Sequence, residues 1–298
     1  MFEVTRKNKM KTALIVFGVF LFLSVVLWLI LFLFNFGVFA VPAAVLIAVI
    51  TSFTSYYNSD KVVLNISGAK PADPQTEKRL HDVMEGVCIA AGMQKPRIFV
   101  MEDPTPNAFA AGRSPKTAVV CVTTGLLDTL DYYELEGVLA HELSHIKNYD
   151  VLLSTVVTVM IGIVIIAVDF CMPGRGSFHR SSSSSKSGGA SGMVIVVVGL
   201  VFIILAPIAA QLLKAALSQN REFLADATAV ELTRNPAGLA DALSKLDNQS
   251  ESVMKANRAT AGMYIVDPLK AQTTQKTSKL FSSHPPIQKR IEALENIH

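Results

Sequence analysis

The chain has 298 residues, 51% of them hydrophobic, and a mean hydropathy of +0.41, too apolar for an ordinary soluble protein, so much of it is expected in lipid. A formal net charge of +3 with no dense basic stripe interleaved with aromatics argues against a phosphate-backbone track, and nucleic acid is not an expected partner. The three cysteines, Cys88, Cys121 and Cys171, share no Cys-x-x-Cys spacing; they suggest neither a disulfide framework nor a thiolate metal site, and fit a reducing compartment.

Residues 1–57 read as a transmembrane hairpin. Ala13 to Phe34 is an uncharged run of 22 residues, about 33 Å as a helix, enough for the hydrocarbon core. A cleaved signal peptide competes with this reading, but the run is longer than an h-region and no small-x-small cleavage site follows. A turn at Asn35 to Gly37 leads to a return span, 38–56, with Pro42 near its start and Tyr56 and Tyr57 where interfacial rings prefer to lie. Arg6, Lys7, Lys9 and Lys11 set the N-terminus inside.

Residues 58–150 form the first soluble piece. Val62 to Ile66 alternates like a strand. Asp73-Pro74 signals a helix start, the apolar residues from Leu80 to Ala91 recur at three and four, and Gly92 ends the helix. Arg97 to Met101, Asn107 to Ala111 and Thr117 to Thr123 are short turn-bounded runs that predict a small antiparallel sheet. Asp131 and Glu134 then open a helix as a capping box, and Leu135, Val138, Leu139, Leu143 and Ile146 keep helical spacing.

Residues 151–213 predict a second hydrophobic hairpin, 151–170 and 193–213, joined by a Gly/Ser-rich flexible loop, 171–192. Arg175, Arg180 and Lys186 count against an outside loop, but the first helix usually dominates orientation. Asp169 and Pro207 weaken both segments as simple spans and leave open a hairpin partly buried in protein. Residues 214–298 are mostly helical: Leu217 to Leu232, Pro236 to Leu246 and Ile287 to Ile297.

His141-Glu142-Leu143-Ser144-His145 is a His-Glu-x-x-His pattern on a predicted amphipathic helix. Two imidazoles four apart share a face and can ligate one ion, while Glu142, offset around the turn, points toward water on that ion. A catalytic zinc takes three protein ligands and keeps a position open. Glu222 is the candidate third ligand and Asp226, one turn on, a candidate acceptor that fixes a histidine tautomer. A carboxylate pair at this spacing is usually a solvated face, but Leu217, Leu224, Val230 and Leu232 surround this one. Along a continuous helix His145 lies about 9 Å from Val151, and Glu222 about 13 Å from Leu213, which puts the ion near the headgroup layer.

HELSHIKNYD, NREFLADATAVEL and SSHPPIQKRI, with two apolar hairpins in the same order, resemble the HtpX group of the CAAX-prenyl-protease-related membrane zinc metallopeptidases over nearly the entire chain. The resemblance implies a mainly α-helical membrane protein of four transmembrane segments with a zincin-like α+β catalytic domain. It implies one zinc held by His141, His145 and Glu222, with Glu142 catalytic. It also implies a bacterial cytoplasmic-membrane endopeptidase that acts on misfolded or damaged membrane proteins, and the basic residues before the first span then put the catalytic domain and both termini on the cytoplasmic side. With it, His284 is the first candidate donor to the oxyanion and Arg221 the second. Asn107 and Ala108 resemble the edge strand that holds an extended substrate, against a purely structural strand. A non-catalytic membrane scaffold with a structural metal is the alternative, and Glu142 argues against it. A transporter would need more intramembrane polar groups than Asp169.

Overall fold

The structure is a computed structural model that describes residues 37–155, 219–248, 263–266 and 285–297, with single positions between Met10 and Trp28. Most of the first predicted span, the third beyond residue 155, the fourth, and the Gly/Ser-rich loop lie outside the described residues. Most of the stretch expected as the return span, 38–56, lies in helix α1, Ala40–Tyr57. Its described apolar side chains, Val41, Leu46, Ile50 and Phe53 among them, are exposed to the surroundings. Among the described residues no helix is long and apolar enough to cross a membrane.

The expected strand at Val62 to Ile66 is instead helix α2, Ser59–Ser67. A short β-branched run cannot be assigned by periodicity alone. Ser59 and Val63, one turn apart, are buried, and Gly68 takes the left-handed φ of 62° that closes a helix, with Ala69 N–H reaching Leu64 O at 3.1 Å. Helix α3, Lys78–Ala91, starts later than Asp73-Pro74 predicts. The Asp73 carboxylate accepts from Gln75 N–H and the Thr76 hydroxyl and so holds a turn ahead of the helix. Gly92 ends α3 at a φ of 63°, as expected.

The sheet is mixed, which corrects the antiparallel expectation. Strands β1 (Lys70–Pro71), β2 (Arg97–Met101), β3 (Ala108–Ala111) and β4 (Val119–Thr123) lie in the order β1-β2-β4-β3. The chain leaves β2 for the edge and returns between them, so β4 is parallel to β2 and antiparallel to β3. Both faces of β4 are covered: Val120 and Val122 join the large core with α3, while Val119 and Cys121 join a thinner one with Phe109, Val63 and Tyr264. Cys88 and Cys121 are free and buried, and burial pushes their thiols up to about 11 and about 12, unreactive at neutral pH.

A short helix, α4 (Thr124–Thr129), leads to the capping box at Asp131 and Glu134, both halves of which are formed. The box starts α5, Tyr132–Lys147, which runs through the large core with Leu135, Val138, Leu139, Leu143 and Ile146 all buried. It does not continue straight into the third segment. Asn148 closes it, Tyr149 takes a φ of 59°, and helix resumes over 150–155, so the chain turns there. Helices α6 (Gln219–Thr233), α7 (Pro236–Asn248) and α8 (Ile287–Glu295) pack with α5, so the two soluble pieces build one core.

Gly137 sets how closely α7 approaches α5: a Cβ built there would lie 2.9 Å from the Leu239 Cα and N. Gly137→Ala should therefore overpack this interface at a cost of about 1–3 kcal/mol, read as a lower denaturation midpoint.

Candidate metal centre

Helix α6 buries Glu222, Ala225, Asp226, Ala229 and Val230, the i, i+3, i+4, i+7, i+8 stripe of one face. The small alanines let it lie close along α5, while Leu224, expected among the covering residues, is exposed. The same packing turns the two carboxylates of α6 toward the two histidines of α5. His141, His145 and Glu222 each offer a ligand atom within 4.8 Å of the others. The two Nε2 atoms are 3.2 Å apart, Glu222 Oε1 is 3.6 Å from His145 Nε2, and Glu222 Oε2 is 3.7 Å from His141 Nε2.

This donor set fits a tetrahedral metal ion. Ligands about 2.0–2.1 Å from zinc at tetrahedral angles stand about 3.3–3.4 Å from each other, close to the separations seen. The rings of His141 and His145 are nearly perpendicular, 89° between planes, so the nitrogens converge without the rings stacking.

The surrounding groups are charged and buried. Asp226 Oδ1 lies 2.9 Å from His141 Nδ1. The Asp226 carboxylate also accepts from Arg290 of α8, Nε at 2.8 Å and Nη2 at 2.6 Å. Burial raises the Asp226 pKa, but Arg290 and the His141 bond outweigh it and hold the carboxyl below its usual range. Burial and the Arg290 charge together push His141 down to about 4, against the pull of Asp226. His145 goes the other way, up to about 9: burial opposes the shift, and the bond to Asp150 with the charges of Glu222 and Asp150 overcomes it. The site thus presents an excess of carboxylate that calls for positive charge.

Of the residues singled out from the sequence, His141, His145, Glu222 and Asp226 are gathered in one place, and Glu142 is buried on the same helix. Arg221 sits beside the site with Nη1 3.5 Å from Asp150 Oδ1. Asn107 is buried on the edge of the sheet; its amide donates to Val266 O at 2.8 Å, and the Ala108 carbonyl accepts from Ile265 N–H at 3.0 Å. A segment of the chain itself, residues 263–266, therefore lies on that edge. His284 falls outside the described residues.

Two residues were missed. Asp150 has Oδ2 3.5 Å from His145 Nδ1. Five positions on from His145, it would point away on a straight helix; only the turn at Tyr149 brings it round, and periodicity carries no sign of that. Arg290 did leave a signal. It stands on the buried stripe of α8 with Ile287 and Leu294, where a charge makes sense only with a buried partner.

The model of peptidase family M48 matches residues 74–298. A protein of Dictyoglomus thermophilum called protease HtpX homolog is 45% identical over 293 residues, 98% of this chain and 93% of its own. One of the same name from Listeria monocytogenes is 40% identical over 311 residues, all of both chains. Among solved structures, the crystal structure of S. mikatae Ste24p aligns over 99% of this chain and 67% of its own, with a TM-score of 0.54 and 17% identity, a likeness of fold.

Breaking the buried Asp226–Arg290 pair should have a measurable cost. Asp226→Ala would take the bidentate partner from the buried Arg290, leaving it the Glu222 carboxylate at 3.5 Å, and should cost about 3–5 kcal/mol, seen as a lower thermal midpoint in chelator-treated protein. Because the folded pKa of Asp226 is depressed, its contribution should be complete above the ordinary carboxylate range and fade as the pH falls through the folded value.

Proposed function

The chain belongs to peptidase family M48, and on that premise we propose that it is a membrane-bound, zinc-dependent endopeptidase whose ion is held by His141, His145 and Glu222. The observation that carries the proposal is the convergence of these three donors within 4.8 Å beside Glu142 on the same buried helix. Two imidazoles and one carboxylate with an open fourth position are the ligand set of a catalytic zinc. When bound, zinc supplies Lewis acidity toward a peptide carbonyl and lowers the pKa of water toward about 7. Every other part of the reaction falls to the chain.

Glu142 is the proposed general base. Its carboxylate takes a proton from the attacking water and returns it to the amide nitrogen as the C–N bond breaks, so the products leave as a carboxylate and an amine. Asp226 holds His141 at Nδ1, and Asp150 does the same for His145, which leaves both Nε2 atoms for the ion. His284 remains the first proposed donor to the oxyanion and Arg221, held by Asp150, the second. The edge at Asn107 and Ala108 is the proposed track for an extended substrate. Since Ile265 N–H already occupies the Ala108 carbonyl, a substrate strand would have to replace that bond.

The apolar runs 13–34, 151–170 and 193–213 and the exposed apolar side chains of α1 support anchoring in a bilayer. Basic residues ahead of the first span support a cytoplasmic catalytic domain in a bacterial inner membrane. We assign misfolded or damaged membrane proteins as substrates, in keeping with a site that lies a few residues from the start of the third apolar run. A non-catalytic scaffold has no observation in its favour.

Metal content measured beside casein cleavage tests the assignment. Glu142→Gln should keep one zinc per chain and lose about 10²–10⁴-fold in turnover. Glu222→Ala should lose the zinc and the activity together; a variant that keeps both rules out Glu222 as a ligand. His284→Ala with full turnover and zinc retained would remove His284 from the reaction.

A further inference from the structure

Arg290 takes no part in the hydrolysis described above, yet its guanidinium is 0% exposed and lies against the metal centre. A buried guanidinium is costly unless paired, and its partners show what it does. Nε and Nη2 reach the two oxygens of Asp226 at 2.8 and 2.6 Å, a planar fork that fixes the carboxylate in position and in plane. Asp226 Oδ1 also faces His141 Nδ1 at 2.9 Å. Two donors thus share one oxygen, which is why Arg290 Nη2 and His141 Nδ1 come within 3.3 Å. An acceptor held there keeps the His141 proton on Nδ1 and leaves Nε2 bare toward His145 and Glu222. The remaining nitrogen, Nη1, makes no hydrogen bond among the described residues and is aimed at the third ligand, 3.5 Å from Glu222 Oε2.

We propose that Arg290 is a positioning residue of the metal centre, which orients His141 through Asp226 and steadies Glu222 directly. The side chain is brought in by α8, whose Ile287 and Leu294 are buried in the large core. Full metal affinity therefore depends on docking of α8, whose Arg290 is 149 residues from His141 in sequence. The inference rests on the metal-dependent reading of the site.

The test uses the full-length protein in detergent, with zinc affinity from competition against a chromophoric chelator and with the visible spectrum of the cobalt(II) form. Arg290→Lys keeps the charge and loses the fork; it should bind zinc on the order of 10–100-fold more weakly and shift the cobalt bands while the circular dichroism of the ion-free protein is unchanged. Arg290→Gln should lose at least as much. Where Arg290→Gln fails to fold, the double variant Asp226→Asn, Arg290→Met removes both buried charges. It should bind zinc no better than Asp226→Asn alone, because Arg290 acts chiefly through Asp226. Wild-type zinc affinity and an unchanged cobalt spectrum in Arg290→Lys, or wild-type affinity in the double variant, overturn the proposal. A wild-type protein that binds neither ion instead overturns the metal-dependent reading beneath it.

Discussion

The face that α6 lays along α5 is the constraint on which the site depends. A helix that buries Glu222 and Asp226 on the stripe that carries Ala225 and Ala229 cannot pack unless something answers two carboxylates in a low-dielectric interior. Arg290 answers Asp226 with a bidentate pair and reaches Glu222 Oε2 only at 3.5 Å. Glu222 also faces two imidazole nitrogens. A divalent ion held by those three donors would complete the balance that one arginine only half supplies. Helix packing and the convergence of the donors are therefore aspects of the same contact, since small residues bring the helices close and closeness brings the donors within reach.

Much of this was legible because local signals are strong where helices begin and repeat. The box at Asp131 and Glu134, the apolar spacing from Leu135 to Ile146 and the stop at Gly92 appear where the sequence puts them. Pairing of strands was not legible. Three short runs separated by turns look the same whether they form successive hairpins or exchange places, and only tertiary packing decides that β4 enters between β2 and β3. The run at Val62 to Ile66 misled for a related reason: its β-branched residues favour a strand, but Gly68 and burial of one turn-spaced face favour the helix that forms.

The centre shows the same divide between local and distant information. The candidate triad and Asp226 could be picked out because each pair sits one turn apart on its own helix. Asp150 could not, since its approach to His145 depends on the left-handed backbone of Tyr149, a conformation that a tyrosine seldom adopts. Arg290 is intermediate. Its place among Ile287 and Leu294 marks it as buried, but which carboxylate it meets is a property of how α8 crosses α6.

Assembly of the centre from such separated parts has an energetic side. Closing a long loop costs only slightly more than closing a short one, because the entropy grows with the logarithm of its length. Bringing α6 and α8 to α5 is therefore affordable despite the residues between, provided each contact repays the ordering of its own helix. The large core makes that repayment: Leu135 and Leu139 of α5, Leu239 and Leu243 of α7, and Leu294 of α8 belong to a single buried cluster. The charged groups contribute direction more than energy, for an ion pair inside a protein recovers little beyond its own desolvation. Hydrophobic burial thus brings the helices together, and the fork of Arg290 on Asp226 ties α8 to α6 in the arrangement that results.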